Sequence, residues 1–114
     1  MDNCLFCKII SGEIPSKKVY EDDMMYAFYD INPMAPVHVL MIPKQHISSV
    51  NELTAENSAV VAHIFSVAPQ IAKQLGVDEN GYRIVSNCGA DAGQTVFHLH
   101  FHLLGGKKLK VEMC

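Results

Sequence analysis

The strictest alternation of polar and apolar residues in the chain lies between residues 98 and 104. Three histidines, His98, His100 and His102, occupy every second position there, and leucine or phenylalanine fills the positions between them. Successive side chains of a β-strand point to opposite faces of the sheet. The pattern therefore predicts a half-buried strand with all three imidazoles on one face and the apolar side chains in a core. A glycine pair at positions 105 and 106 predicts the turn that ends it.

A helical period replaces the alternation in residues 55–75. Apolar residues recur there at spacings of four, three, four and four, at Val60, Ile64, Val67, Ile71 and Leu75. This spacing predicts one long amphipathic helix. Thr54 is a suitable N-cap, and Pro69 predicts a kink, because proline removes a backbone hydrogen bond inside a helix. A second apolar stripe beside the first leaves a face for another subunit.

The remaining patterns are shorter. Residues 4–11 predict a short helix that ends at Gly12. Strands are predicted at residues 19–20, 24–29, 37–42 and 82–87, and a last short strand at residues 109–112. Together these elements predict an α+β fold, with an antiparallel sheet of about five strands, one short N-terminal helix and one long helix.

Length and composition limit the classes of protein. The 114 residues are 49% hydrophobic and 18% charged, which is typical of a single globular domain spanning residues 1–114. A net charge of −3 argues against nucleic acid as a partner. We expect no membrane association, because no apolar run reaches the roughly 18 residues that span a bilayer. Asp2 lies where a signal peptide carries positive charge, so a cytoplasmic location is expected.

The histidine strand is a candidate catalytic element. A neutral imidazole can attack phosphorus or a carbonyl carbon, and it exchanges protons near pH 7. Directly upstream, Gly89 and Gly93 predict a loop that exposes backbone N–H groups to an anion, and Thr95 adds a hydroxyl. These features favour a phosphate site beside a nucleophilic histidine. A three-histidine metal site and a solvent-facing edge strand remain alternatives.

The two cysteines near the N-terminus, Cys4 and Cys7, have the spacing of half a metal site. His46 is a natural third ligand, because the catalytic interpretation leaves it without a role. A redox-active dithiol and a pair of small core residues are the alternatives.

Several segments resemble one family. HLHFHLL at residues 98–104 matches the His-φ-His-φ-His-φ-φ signature, with φ apolar, of the histidine triad (HIT) proteins. KIISGEIPSKKVYEDD, DINPMAPVHVLMIPKQHIS and YRIVSNCGADAGQTVFHLHFHLLGG are similar to successive regions of that family. The resemblance covers nearly the whole chain, and its nearest branch is the Hint-like purine nucleoside phosphoramidases.

The resemblance implies a role for each matching residue. His100 would be the nucleophile, His102 would contact the phosphate, His38 would hydrogen-bond the ring of the nucleophile, and Thr95 would lie near the leaving group. Nucleotide binding would use these residues: Ile9, Phe28, Asp30, Ile31, Asn87, Gly93, Gln94, Thr95, His100 and His102. A structural zinc ion, about one per subunit, would be held by Cys4, Cys7, His46 and His98. The family's antiparallel sheet and its homodimer through the long helix are also implied.

The reaction implied is hydrolysis or transfer at a purine nucleoside 5′-phosphoramidate or acyl nucleotidate, with an AMP- or GMP-like nucleotide bound covalently to His100. A dinucleoside polyphosphate hydrolase is the alternative within the fold, because the tail GGKKLKVEMC lacks the family's aromatic ending. A zinc-stabilised nucleotide-binding module without turnover is the alternative of another class.

Overall fold

The computed structural model describes residues 3–112 of the chain. Its centre is a five-stranded antiparallel sheet in the order β1-β2-β3-β5-β4. The strands are β1 (Lys18–Glu21), β2 (Met25–Tyr29), β3 (Val37–Pro43), β4 (Tyr82–Val85) and β5 (Phe101–Gly105). The predicted α+β class and the antiparallel sheet are confirmed.

Two α-helices flank the sheet, α1 (Leu5–Ser11) and α2 (Ala59–Gln74). Strand β3 shows how they divide the core, because its alternate residues are buried on opposite faces. Val39 and Met41 belong to the cluster that packs under α2, whereas Leu40 and Ile42 join Phe6 of α1 on the other face. Burial on both faces explains why β3 is almost entirely apolar in sequence. Its one histidine, His38, is buried as well.

The long helix begins later than expected. Helix α2 starts at Ala59 rather than at residue 55, because Thr54 and Asn57 form a separate turn ahead of it. The Thr54 N–H donates to Asn57 Oδ1 at 2.8 Å, and the Asn57 N–H donates to Thr54 Oγ1 at 3.2 Å. Thr54 therefore caps this turn, not the helix. Pro69 lies inside α2 on its exposed side, and the kink expected there stays a prediction.

The strand predicted at residues 109–112 is wrong. After β5 the chain turns at Gly106 and continues without regular structure to residue 112. Strands β3 and β4 already flank β5 on both sides, so the departing chain has no free edge beside it. Gly106 has φ +90°, and a Cβ there would lie 2.9 Å from Pro36 Cβ. The turn is consequently fixed by a close contact that only glycine tolerates.

Among the helices of residues 3–112, none combines the length and the apolarity that a membrane crossing requires.

The packing under α2 predicts the effect of a core substitution. Ile64 is fully buried against the sheet, so Ile64→Ala should lower the free energy of unfolding by about 2–5 kcal/mol through lost burial and the cavity left behind. Gln70, exposed on the same helix, supplies the control, and Gln70→Ala should change it by less than about 0.5 kcal/mol. Urea denaturation measures both. Equal losses for the two variants would contradict this packing.

Candidate active site and metal centre

The three triad histidines do share one face, as the alternation predicts. Leu99, like its neighbours at positions 101 and 103, belongs to the core under α2. The rings of His98 and His100 pack instead against Phe6 of α1, on the opposite face. The predicted strand is nevertheless too long at its start, because β5 begins only at Phe101. His98 and His100 lie in the preceding segment, which the Leu99 N–H anchors by donating to Ile47 O at 2.6 Å.

The proton of the His100 ring is located by its hydrogen bond. Nδ1 of His100 lies 2.7 Å from the carbonyl oxygen of His98. A carbonyl oxygen can only accept, so Nδ1 carries the proton and the lone pair is on Nε2. The Ser86 hydroxyl donates to the carbonyl of His100 at 2.8 Å and so holds the backbone on the other side. The bond therefore fixes the orientation of the ring and leaves Nε2 as the nitrogen that can act as a nucleophile.

His102 has the opposite tautomer. The Met34 N–H donates to His38 Nδ1 at 3.0 Å, which leaves the His38 proton on Nε2. That nitrogen lies 2.9 Å from His102 Nδ1, so it donates and His102 retains its own proton on Nε2. The two neighbouring rings, 5.1 Å apart, thus present one acceptor and one donor. The hydrogen bond expected from His38 to the ring of His100 is wrong, because His38 bonds the ring of His102 instead.

Burial keeps the hydrogen-bonded rings of His38 and His102 uncharged. It lowers the pKa of His38, and it lowers the pKa of His102 to about 4, with the neighbouring His100 and His38 rings acting in the same direction. Both rings are consequently neutral at pH 7, and their donor and acceptor roles stay fixed.

A cavity of about 520 Å³ opens in front of the two rings. Its polar lining residues include His100, His102, Thr95 and Asp30, and most of the remaining lining is apolar. The apolar wall is formed by these side chains: Leu5, Phe6, Ile9, Ile14, Phe28, Ile31, Met34 and Leu40. Ile31 is 90% exposed, so it covers the rim, and the other predicted apolar residues, Ile9 and Phe28, are buried. The structure therefore brings together an apolar slot and the two reactive nitrogens.

Asp30 is the one carboxylate among the described residues that line this cavity. Its Oδ1 accepts the Asn32 N–H at 2.8 Å, and its Oδ2 lies 3.4 Å from His38 Nε2. The carboxylate is thus fixed in orientation and still borders the cavity, where it can accept hydrogen bonds from hydroxyl groups.

The loop of residues 89–95 is expected to expose free backbone N–H groups, but several of them already have partners within the loop. The Gly89 N–H donates to Gln94 Oε1 at 2.9 Å, and the Gly93 and Gln94 N–H groups donate to carbonyls of the same loop. The Gln94 amide also donates to Ser48 O and Val96 O. Gln94 is therefore a buried brace of the loop, and Gly93 supplies the left-handed turn at φ +84°. Thr95 reaches the cavity, and Asn87 is half-buried after β4.

A second cluster contains both N-terminal cysteines. The donor atoms of Cys4, Cys7, His46 and His98 all lie within 4.8 Å of one another. Sulfur and ring nitrogen are separated by 3.3, 3.4 and 3.6 Å in three pairs, each of which joins a cysteine Sγ to a histidine Nδ1. A tetrahedral zinc, with Zn–S of about 2.3 Å and Zn–N of about 2.1 Å, places such atoms about 3.5 Å apart. The four residues could therefore hold a metal ion.

The protonation of this cluster also fits a cation. His98 Nε2 lies 2.8 Å from the carbonyl oxygen of Pro43, so its proton is on Nε2 and the Nδ1 lone pair faces the sulfurs. Burial lowers the pKa of His98 to about 4. Burial and the neighbouring Cys4 thiol raise the pKa of Cys7 to about 11, and a bound cation reverses this effect by favouring thiolates. Both cysteines are free, so their sulfurs are available as metal ligands, and the redox-active dithiol stays an alternative prediction.

Asp30, His38 and His102 form another group whose donor atoms lie close enough for a metal. The imidazole nitrogens of His38 and His102 bond each other directly at 2.9 Å, which explains the convergence without an ion.

Sequence reasoning missed four contributors to these sites. Ser86, Met34 and Pro43 act through a hydroxyl, an N–H and a carbonyl, and Phe6 packs against two triad histidines. No local sequence signal distinguishes the first three, because each acts through the backbone or on a residue that is distant in sequence. Phe6 alone had a hint, its position between the two cysteines.

Comparison with known proteins agrees with this geometry. The HIT domain family matches residues 11–109. The chain belongs to the histidine triad family. The purine nucleoside phosphoramidase of Escherichia coli K12 is 46% identical over 108 residues, which cover 95% of this chain and 91% of that protein.

Solved structures of the histidine triad family extend the likeness to the fold. A HIT family hydrolase from Clostridium thermocellum has a TM-score of 0.97 and 51% identity, over 100% of this chain and 99% of that one. The histidine triad nucleotide-binding protein of Candida albicans has a TM-score of 0.82 and 38% identity, over 98% and 86% of the two chains.

The His102 ring should titrate far below an ordinary histidine. Its proton affinity is lower in the folded chain, with a pKa of about 4 against 6.5, so the unfolded state binds more protons between these values. Stability should fall as the pH is lowered from 6.5 to about 4. NMR of the histidine ring protons, with His102→Gln to assign the signal, measures the midpoint. A midpoint at or above pH 6.5 would contradict a buried, neutral His102 ring.

Proposed function

We propose that the protein hydrolyses purine nucleoside 5′-phosphoramidates and related acyl or aminoacyl nucleotidates through a nucleotide bound covalently to His100. One observation carries the proposal: His100 and His102 face the same cavity in opposite tautomers, one with a free Nε2 and one with an Nε2–H. An attacking lone pair and a donor to the phosphate oxygens are the two groups that displacement at phosphorus needs. The 46% identity to the E. coli phosphoramidase supports the substrate class.

The nucleoside would occupy the apolar slot. A purine is flat and apolar on its faces, which suits the space between Ile9, Phe28 and Ile31. Asp30 lines the same cavity and would accept hydrogen bonds from the ribose hydroxyls, and the α-phosphate would then lie near His100 and His102.

The reaction would proceed in two displacements. His100 Nε2 attacks the α-phosphorus, an Nε2–P bond forms, the P–N bond breaks, and its electron pair leaves on the amine, which takes a proton from solvent. Water then attacks the same phosphorus and loses a proton to solvent, and the Nε2–P bond breaks, so that its electron pair returns to Nε2 and the nucleoside monophosphate is released. During the first step Nδ1–H of His100 gains positive charge, and the carbonyl of His98 stabilises it at 2.7 Å.

The other site residues would act around the phosphorus. The His102 Nε2–H donates to a phosphate oxygen, and the Thr95 hydroxyl lies near the leaving group. Asn87 lies after β4, and Gly93 and Gln94 shape the loop from which Thr95 extends. His38 acts one step back, because it fixes the tautomer of His102.

We further propose that Cys4, Cys7, His46 and His98 bind one structural zinc ion per subunit. When bound, the ion supplies a closed tetrahedral link between the start of α1 and the segment before β5. Thiolate ligands persist in a reducing compartment, so a cytoplasmic location forms part of the same proposal.

A homodimer through α2 is also proposed. Phe65 on this helix is 46% exposed although its ring packs edge-on against Phe101. A large, partly exposed aromatic on the outer side of α2 is suited to burial by a second copy of the chain.

Replacement of the nucleophile tests the proposal. His100→Ala should lower turnover of adenosine 5′-phosphoramidate by roughly a thousandfold or more, because no other group replaces its lone pair. His63→Ala is the matched control, since His63 lies on α2 and pairs with Asp22 at 2.6 Å; it should retain activity. Release of AMP is measured, and mass spectrometry of quenched protein should find a nucleotide adduct on His100. Undiminished turnover in His100→Ala would remove His100 as nucleophile.

The same assays separate the other reaction classes. Turnover of diadenosine polyphosphates in place of the phosphoramidate would identify a polyphosphate hydrolase. Nucleotide binding with neither turnover nor adduct would identify a binding module.

Zinc content tests the metal proposal. Protein purified without chelator should contain about one zinc per subunit, and Cys7→Ser should lose most of it, because a tetrahedral site then lacks one thiolate. Cys88→Ser is the control, since Cys88 lies outside the cluster. Elemental analysis measures the metal. Equal zinc content in the two variants, or none in the wild type, would contradict the site.

A further inference from the structure

Phe6 lies between the metal cluster and the nucleophile. It belongs to the first turn of α1, flanked in sequence by Cys4 and Cys7, and it is buried. Its ring is perpendicular to that of His100, with centroids 5.2 Å apart, and it also contacts His98, with centroids 5.9 Å apart. A displacement of the first turn of α1 therefore moves the side chain that packs on the nucleophile.

His98 is a second connection between the same two groups. Its Nδ1 faces the sulfurs of Cys4 and Cys7, and its carbonyl oxygen accepts the Nδ1–H of His100. The ring and the carbonyl belong to one residue, so a ligand that fixes the ring also restricts the backbone that orients His100.

Helix α1 depends on contacts with the rest of the chain. It has seven residues, and isolated helices of that length are not stable. A cation bound by Cys4 and Cys7 would attach its first turn to His46 and His98. Phe6 and Ile9 hold α1 in the core, but without a cation the cysteines are joined to the two histidines by sulfur–nitrogen contacts of 3.3 to 3.6 Å alone.

We propose that metal occupancy of the Cys4, Cys7, His46 and His98 cluster sets the orientation and the tautomer of His100, and that Phe6 is the positioning residue between them. The cluster then adjusts the active site without contacting the substrate phosphate. Rotation of the His100 ring would break the bond to the His98 carbonyl and turn the lone pair away from the cavity. The catalytic consequence rests on the function proposed above.

Phe6→Leu tests the positioning role in zinc-loaded protein. Leucine keeps most of the apolar volume and removes the ring contact, so turnover of adenosine 5′-phosphoramidate should fall about threefold to tenfold. The loss should be larger in kcat than in KM, because the lost contact orients the nucleophile. Phe65→Leu is the matched control, since it removes another edge-to-face ring pair, with centroids 5.5 Å apart and planes at 78°, on the other face of the sheet. Equal effects in both variants, or a change confined to KM, would overturn the role of Phe6.

Nitrogen NMR of the His100 ring at one fixed pH tests the coupling directly. The zinc-loaded wild type should show a single tautomer with the proton on Nδ1, whereas zinc-loaded Phe6→Leu and chelator-treated wild type should show exchange between tautomers. An unchanged single tautomer in both would overturn the proposal and leave zinc as a stabiliser only. If the chelator-treated protein unfolds, the zinc-loaded Phe6→Leu variant is compared with the zinc-loaded wild type, and this comparison alone decides whether the metal-linked turn orients His100.

The NMR result is independent of the substrate. A wild type that turns over no nucleotide would refute the proposed function, whereas the tautomer comparison would still decide whether Phe6 and the metal orient His100.

Discussion

The hydrogen bond between the His98 carbonyl and Nδ1 of His100, 2.7 Å long, is the interaction on which the active site depends. An imidazole has two nitrogens, and only one arrangement of its proton leaves a lone pair towards the cavity. A carbonyl partner selects that arrangement for as long as the bond is kept, because it has no proton to give. The Ser86 hydroxyl and the Leu99 N–H hold the backbone on which this bond rests. The His100 ring is thus oriented by main-chain geometry.

Strand β3 organises both halves of the site. His38, near its start, accepts the Met34 N–H at Nδ1 and therefore donates from Nε2 to Nδ1 of His102. The carbonyl of Pro43, at its end, fixes the ring of His98. Both contacts exist because β3 pairs with β5, with Leu40 opposite His102. The central position of β3, buried on both faces, makes it a rigid support for groups that must hold their geometry to fractions of an ångström.

The sequence predicted what depends on periodicity and failed where partners are remote. Alternation placed the three histidines on one face, and helical spacing found α2, since each reflects which side of an element is buried. The partners of His38 and Gln94 could not be found in this way, because a hydrogen bond is settled by tertiary placement. The glycine loop shows the difference: its composition suggested free donors, but Gln94 folds back and occupies the Gly89 N–H. The strand expected at residues 109–112 failed similarly, since strand propensity does not supply a free sheet edge.

Three histidines at alternate positions acquire three different chemistries because each ring has a different hydrogen-bond partner. His98 donates to a carbonyl through Nε2 and so offers Nδ1 to the sulfurs. His100 donates to a carbonyl through Nδ1 and so offers Nε2 to the cavity. His102 accepts at Nδ1 from another imidazole and so offers a proton. Residue type and spacing give all three the same face, but the tautomer is assigned by the group behind each ring. A substitution at Pro43 or Met34 leaves those backbone groups in place, and this explains why main-chain partners suit a site whose function depends on the position of single protons.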